Sequence, residues 1–170
     1  MRLDDFSAWQ GASDRVMGGI SRATVTLEGR DNRRWLRLAG QVRLENQGGF
    51  IQMGVDLAPD GRPVDLSAFT GVRLLVRGNG ERYGCHLRTT ACVRPWQSYR
   101  AAFLARAEAA TVELPFTSFV PHRVDVPLAP AALRRLALVA IGRAFAADLA
   151  VAEASFYRAG AGSIQTWNSR

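Results

Sequence analysis

The sequence predicts an all-β protein, a sandwich of two sheets built from about nine strands. Short runs of alternating or wholly apolar residues recur along most of the chain, turn residues separate them, and no long stretch has helical periodicity. A chain of 170 residues with 48% hydrophobic residues is long enough for one core. We therefore expect a single jelly-roll domain over residues 1–158, followed by a C-terminal tail over 159–170.

Two runs show how the strand pattern is read. In Trp35-Leu36-Arg37-Leu38 the leucines share one face and Trp35 and Arg37 the other, as a half-buried strand requires. Leu136–Ile141 is apolar on both faces, which predicts a central strand. The predicted strands are Ala23–Glu28, Trp35–Leu44, Phe50–Leu57, Val72–Arg77, Tyr83–Thr89, Ser98–Phe103, Thr111–Leu114, Leu136–Ile141 and Leu149–Tyr157.

Turn-forming residues separate these runs. Arg30-Asp31-Asn32 and Gln47-Gly48-Gly49 divide the first three strands, and Gly78-Asn79-Gly80 contains the Asn-Gly pair that is typical of hairpins. Leu66–Phe69 and Pro130–Arg135 each predict one helical turn, the second with proline at its start. These turns are expected to connect strands and not to form a second layer.

The chain is strongly basic, and all of its basic side chains other than the two histidines are arginines. The net charge is +7, and the 22 basic residues include no lysine. Arginine-rich codon usage explains such a composition, but the guanidinium also suits an acidic partner or an anionic surface. No secretory signal, no apolar run of about 18 residues and only two cysteines are found, so we expect a cytoplasmic protein without a membrane span or a disulfide framework.

Two glycine-rich motifs resemble a known family. Ser13-Asp14-Arg15-Val16-Met17-Gly18-Gly19-Ile20-Ser21, after Trp9, and Leu44-Glu45-Asn46-Gln47-Gly48-Gly49-Phe50 resemble the opening signatures of the NADH:ubiquinone oxidoreductase (complex I) intermediate-associated protein 30 family. Further segments fit the same pattern: Leu66–Leu74, Val76–Gly80, Tyr99–Phe103 and Val112–Phe119.

The resemblance implies a galactose-binding-domain-like jelly roll and a non-enzymatic assembly factor. Its partner would be a protein, such as a subunit of a respiratory-chain assembly intermediate, and the family supplies no catalytic residues. Without a transit-like extension, the chain is expected to be a stand-alone bacterial member. The alternative is a carbohydrate-binding or small-ligand-binding module of the galactose-binding-like type, since sandwiches often present ligands to aromatic side chains.

The paired glycines define a first candidate site on the loops. Asp14, Arg15 and Asn46 lie beside glycines that would let a partner's backbone approach closely. The alternative is structural, with Ser13 and Asp14 satisfying the loop's own amides and the glycines solving backbone geometry.

A basic sheet face is the second candidate site. Strand alternation predicts that Arg73, Arg77, His86 and Arg88, with Arg100 from the next strand, share one face, which would bind an acidic peptide, a phosphate or a sugar. Trp96 and Tyr99 would form its aromatic walls. The alternative is an ordinary solvated face whose arginines pair with Glu81, Glu108 and Glu113.

The sequence does not favour cofactor binding, metal binding, catalysis or nucleic-acid recognition. Gly78-Asn79-Gly80 lacks the third glycine and the following helix of a dinucleotide site, and Cys85 and His86 point to opposite faces of a strand, so we expect no cofactor and no metal. No nucleophile elbow or carboxylate pair is found, so no catalytic residue is predicted. A nucleic-acid reader motif is also missing.

Overall fold

The computed structural model describes residues 1–160, which form eleven strands joined by turns and short 3₁₀ segments. The predicted tail over 159–170 lies outside the described residues from residue 161 onward. The strands are β1 (Gln10–Ser13), β2 (Arg22–Arg30), β3 (Arg33–Val42), β4 (Phe50–Asp56), β5 (Gly71–Gly78), β6 (Glu81–Thr89), β7 (Ser98–Ala105), β8 (Ala110–Pro115), β9 (Val120–His122), β10 (Leu133–Ile141) and β11 (Phe145–Tyr157).

The strands form two antiparallel sheets that face each other across one main core. The six-stranded sheet has the order β1-β4-β10-β6-β7-β9, and the five-stranded sheet has the order β2-β3-β11-β5-β8. Inward side chains from both sheets, including Leu38, Ile51, Leu74, Leu138 and Leu149, are fully buried between them. The all-β sandwich predicted from the sequence is confirmed.

All nine predicted strands are present, and two further strands occupy the edges of the six-stranded sheet. β1 has the sequence Gln-Gly-Ala-Ser, which carries no strand signal, and it pairs only with β4. β9 contains Pro121, a residue tolerated at sheet edges because no neighbour requires its missing N–H. Both strands form because a longer neighbour offers its backbone groups, which no local pattern reveals.

The two Asn-containing turns differ in what they connect. Asp31 and Asn32, with φ of 53° and 59°, make the two-residue hairpin turn between β2 and β3. Gly78-Asn79-Gly80 instead carries the chain from the five-stranded to the six-stranded sheet. Asn79 Nδ2 donates to the Ala146 carbonyl at 2.9 Å, and its Oδ1 accepts from the Tyr83 hydroxyl at 2.6 Å. The hairpin predicted here is therefore wrong, because these side-chain bonds hold an arch between the sheets.

Of the two predicted helical turns, one is a short 3₁₀ segment and the other is a hydrogen-bonded turn. Pro130–Ala132 is a 3₁₀ turn that leads directly into β10, and Leu66–Phe69 is a turn closed by a bond from Phe69 N–H to the Leu66 carbonyl at 2.9 Å. No helix over residues 1–160 has the length and apolarity that crossing a bilayer requires.

β10 is the central strand that the sequence predicts, and it shapes the outer face of the six-stranded sheet. It lies between β4 and β6, and its outward residues are small or short: Ala137 stands between Gly54 and His86, and Val139 between Gln52 and Gly84. Even on this outward side Ala137 and Val139 are buried. The sheet surface is consequently low along its middle, with longer side chains rising on either side.

Candidate functional site

The glycine-rich motifs meet at a single buried carboxylate, that of Asp14. It accepts hydrogen bonds from the Ser21 hydroxyl, from Ser21 N–H at 2.9 Å, from Gly49 N–H at 2.5 Å and from Phe50 N–H at 3.3 Å. The Ser21 hydroxyl in turn accepts from Arg43 N–H at 2.8 Å. Asp14 therefore ties the loop before β2 to the loop before β4, and we call this arrangement the Asp14 lock.

The glycines of the lock are required by closeness to that carboxylate. A Cβ on Gly19 would lie 2.8 Å from Asp14 Cβ, and one on Gly48 would lie 2.5 Å from Asp14 Oδ2. Gly18 ends the 3₁₀ turn Asp14–Met17 with φ of 85°, and Gly49 has φ of 134°. Each glycine thus has its own steric or conformational reason, which favours the structural interpretation of both motifs.

Burial and hydrogen bonding act in opposite directions on the Asp14 carboxyl group. Burial by itself would raise its pKa, but the bonds from Ser21, Gly49 and Phe50 outweigh it and hold the pKa below the ordinary value. The side chain is fully buried, so it offers no surface to a partner. Its predicted neighbours in the first site, Arg15 and Asn46, are exposed, and Asn46 has a left-handed backbone with φ of 56°.

A second arrangement lies on the outer face of the six-stranded sheet. A depression of about 290 Å³ is floored by Gly84 and Ala102 and bordered by charged and apolar side chains. We call it the arginine pocket, and its outward-facing residues are Arg82, Gly84, His86, Arg100, Ala102, Ile141 and Arg143. Cross-strand pairing places His86 directly opposite Arg100 and Gly84 opposite Ala102. A Cβ on Gly84 would lie 2.9 Å from His86 Nε2, so the imidazole leans over the glycine.

The arginines of the pocket are only partly neutralised. Arg143 pairs with Glu81 and stacks on Phe145, with its guanidinium 4.0 Å from the ring centroid. Arg100 Nε donates to Ser98 Oγ at 2.9 Å, and burial, together with the nearby Arg123, lowers the pKa of Arg100. Over residues 1–160, neither Arg82 nor Arg100 has a carboxylate within ion-pair distance. The pocket therefore holds two cations that attract an anionic group.

The outer face of the five-stranded sheet is different, because three of its arginines bind carboxylates of the same sheet. Arg37 donates to both oxygens of Asp148 at 2.8 Å, a bidentate pair. The ion pairs on this face are Arg33 with Glu153, Arg37 with Glu28 and Asp148, and Arg73 with Glu113. The predicted alternative, a solvated face whose arginines pair with carboxylates, thus describes the five-stranded sheet. In the arginine pocket of the other sheet, Arg82 and Arg100 have no carboxylate partner among residues 1–160.

His86 stays neutral in this pocket. Burial first, and then the positive charges of Arg100 and His122, lower its pKa to about 3. The unfolded chain takes up this proton near pH 6.5. Between the two values only the unfolded chain binds the proton, so acidification must weaken folding.

We expect this His86 effect to remove about 1–2 kcal/mol of stability between pH 7 and pH 5. The His86→Gln variant should lose much less over that interval, because it has no proton to bind. Urea unfolding at pH 7, 6 and 5 measures the difference. His122→Gln is the matched control and should keep most of the wild-type slope. Equal pH slopes for wild type and His86→Gln would contradict the prediction.

Three residues predicted for the basic sheet face lie elsewhere. Arg73 and Arg77 are on β5 of the five-stranded sheet, because the chain changes sheets at Gly78–Gly80, and the Arg77 guanidinium lies 4.7 Å from the Trp35 ring centroid. Tyr99 points into the core and is fully buried, and its hydroxyl donates to the Val126 carbonyl at 2.8 Å. None of these side chains can contact a ligand beside His86, so all three placements were wrong.

Arg88 lies near the end of β6, and Trp96 lies on the loop between β6 and β7. The Arg88 guanidinium donates to the carbonyls of Cys92, Arg94 and Pro95 at 3.1 to 3.3 Å, so it closes that loop. Trp96 is 51% exposed on the same loop, beyond the strands that line the arginine pocket. Of the predicted basic face, the structure brings together only His86 and Arg100.

Four residues of the arginine pocket were not predicted from the sequence: Arg82, Ala102, Ile141 and Arg143. Arg82 shares its face with His86 and could have been found by the same alternation, had β6 been extended back to Glu81. Ala102 is on β7, Ile141 ends β10, and Arg143 lies in the turn that follows β10. Only the pairing of β7 and β10 with β6 brings them near.

Cys85 lies in the core, on the face of β6 opposite that of His86. Its thiol is fully buried, and burial raises its pKa. Within the described part of the chain, no three His, Cys, Asp or Glu side chains are placed to hold a metal ion.

Comparison with family models identifies the family of this chain. The model described as Complex I intermediate-associated protein 30 (CIA30) matches residues 2–150. The chain belongs to the CIA30 family. Both motifs of the Asp14 lock fall inside the matched region, as does the arginine pocket. Comparison with curated proteins gives no significant match.

Solved structures similar to this CIA30-family protein are carbohydrate-binding modules and a larger enzyme. A family 11 carbohydrate-binding module from Clostridium thermocellum, in complex with a β-1,3-1,4-mixed-linked tetrasaccharide, has a TM-score of 0.71 at 16% identity and covers 93% of this chain and 95% of its own. A family 30 module from a cellulosomal cellulase of the same organism has a TM-score of 0.63 at 13% identity, covering 87% and 91%.

An exo-β-agarase is also similar, with a TM-score of 0.62 at 10% identity, and the match covers 96% of this chain but 26% of the agarase. At such identities these likenesses establish the β-sandwich fold of the CIA30-family protein and do not extend to a ligand.

Proposed function

We propose that this CIA30-family protein is a non-enzymatic binding and assembly factor that holds an acidic segment of a protein partner in its arginine pocket. By similarity to its family, the partner is a subunit of a respiratory-chain assembly intermediate. The single observation that carries the proposal is that Arg82 and Arg100 face the same depression without a carboxylate partner among residues 1–160. Carboxylates of a partner would supply the missing charge.

The shape of the pocket supports an extended acidic segment. Gly84 and Ala102 keep the floor low, so a backbone can approach the sheet while its Asp or Glu side chains reach the guanidinium groups on the border. Neutral His86 adds no competing charge and can exchange a hydrogen bond with the segment. Membership in a family named for association with an intermediate, together with the binding-module fold, supports a binding role without catalysis.

Affinity capture from the source cells, followed by mass spectrometry, tests the proposal. We expect the double variant Arg82→Gln, Arg100→Gln to recover its partner at least about tenfold less well than wild type, since two charge-assisted hydrogen bonds are lost. The matched control is Arg30→Gln, Arg34→Gln, which removes the same charge from the hairpin between β2 and β3. Equal recovery by wild type and the pocket variant, or equal loss in the control, would overturn the proposal.

A carbohydrate is the second candidate ligand. The fold similarity to a module bound to a β-1,3-1,4-linked tetrasaccharide favours it, and Trp96 is an exposed aromatic side chain on which a sugar ring could stack. Native electrophoresis in gels containing mixed-linked β-glucan should then show retardation that the Trp96→Ala variant loses. Unchanged mobility of the wild-type protein would remove this candidate.

A further inference from the structure

Exposed apolar side chains project from the two loops that the Asp14 lock joins. Val16 is 79% exposed and Met17 58%, both on the 3₁₀ turn that Asp14 begins, and Ile20 follows them at 38%. Leu44, 49% exposed, stands at the start of the second loop. Large apolar side chains with such exposure, gathered at one end of a sandwich, mark an interaction surface. We call these four residues the apolar tip.

Basic residues accompany the apolar tip. Arg15 and Arg22 are exposed beside it, and among the described residues neither makes an ion pair. The acidic groups of the two loops are already engaged, because Asp14 is buried in the lock and Glu45 pairs with Arg43 at 2.6 Å. The surroundings of the tip are therefore positive, in line with the net charge of +7.

We infer that the apolar tip is a peripheral docking site for an anionic lipid bilayer. Insertion of a few apolar side chains, combined with attraction of nearby cations to lipid phosphates, is sufficient for reversible binding to a membrane surface. A stable protein interface buries roughly 800 Å² on each partner, which is more than four side chains can supply. Arginine adds bidentate recognition of phosphate to its charge.

The Asp14 lock holds the loops of the apolar tip in a fixed conformation, which favours insertion into a bilayer. Both loops are bonded to one buried carboxylate, and Gly142 N–H also donates to the Gly49 carbonyl at 3.3 Å, so the loops are held by the sandwich itself. Preordered loops enter the bilayer interface without first giving up conformational entropy. The lock thus accounts for a hydrophobic tip that stays exposed and does not collapse onto the core.

Co-sedimentation of the full chain with vesicles tests the inference. We expect binding to phosphatidylcholine vesicles that contain about 30% phosphatidylglycerol, and at least about tenfold weaker binding to phosphatidylcholine alone. Val16→Ser combined with Met17→Ser should weaken binding to the anionic vesicles at least about tenfold, because two inserting side chains are lost. Arg15→Gln should weaken it about fivefold.

Two controls separate this site from other surfaces. Val93→Ser with Val120→Ser removes exposed apolar side chains that lie away from the tip, and it should bind as wild type does. The Arg82→Gln, Arg100→Gln variant should also keep vesicle binding, which makes this test independent of the proposed partner site. The thermal midpoint of each variant verifies folding.

Four results would overturn the inference. Wild-type protein could fail to sediment with anionic vesicles, or the Val16, Met17 variant could sediment as well as wild type, which would indicate adsorption by charge alone. Binding could also depend on Arg82 and Arg100 and not on the tip. A change in oligomeric state of the Val16, Met17 variant without any vesicle effect would assign the tip to a protein contact instead.

Discussion

Replacing Asp14 by alanine should be the most destabilising single change at the glycine-rich loops, with a loss of about 3–5 kcal/mol. The substitution leaves the buried N–H groups of Ser21, Gly49 and Phe50 without their acceptor, and each unsatisfied buried donor costs about 1–3 kcal/mol. In a chain of this length such a loss lowers the thermal midpoint by about 10 °C. Urea unfolding and calorimetry at pH 7 measure both quantities.

The pH dependence of the same variant gives a second readout. The folded pKa of Asp14 is lowered, so its contribution is fully present above the unfolded value of about 3.9 and is lost as pH falls through the folded pKa. Wild type and Asp14→Ala should therefore converge in stability as the solution is acidified below pH 4. Asp125→Ala, at an exposed carboxyl, is the control and should change stability by less than about 0.5 kcal/mol. A similarly small effect at Asp14 would refute the lock.

Gly19→Ala should have the second-largest effect, a loss of about 2–4 kcal/mol. The new methyl group would lie 2.8 Å from Asp14 Cβ, so the carboxylate must leave its donors or the loop must open. Gly29→Ala is the matched control, because a Cβ there meets no atom within 4 Å. Gly18→Ala, also without a clash but with φ of 85°, should lose only the roughly 1–2 kcal/mol of left-handed strain.

A double-mutant cycle connects these two predictions. In the presence of Asp14→Ala, Gly19→Ala should lose most of its effect, because the group with which its methyl group clashes is gone. The interaction energy should therefore be at least about 1 kcal/mol. Strict additivity would show that Gly19 is required for some reason other than the Asp14 carboxylate.

The sequence was a better guide to strands than to sites, for a physical reason. A strand can be recognised from the local alternation of apolar and polar residues, as in Trp35–Leu38, and all nine predicted strands are present. A sheet face is assembled from several strands, so one error in a connection displaces every residue beyond it. Reading Gly78–Gly80 as a hairpin put Arg77 beside His86, although the arch places them on different sheets.

The predicted partner-binding role of Asp14 was wrong for a different reason. An aspartate in a glycine-rich loop describes equally a ligand-binding carboxylate and one that accepts hydrogen bonds from the loop's own amides. The difference is burial, which depends on the approach of residues 48–50 from a loop about 35 positions later in the chain. No local pattern contains that approach.

The amino-acid sequence alone determined the fold class, the strands with strong alternation and the family, because each depends on residue types in local order. Only the tertiary structure decided which arginines have a carboxylate beside them. Arg73 and Arg82 look alike in the sequence, but Arg73 lies opposite Glu113 on the neighbouring strand, and Arg82 faces the arginine pocket. The pairing of strands distant in sequence places a carboxylate beside one guanidinium and leaves the other facing the pocket.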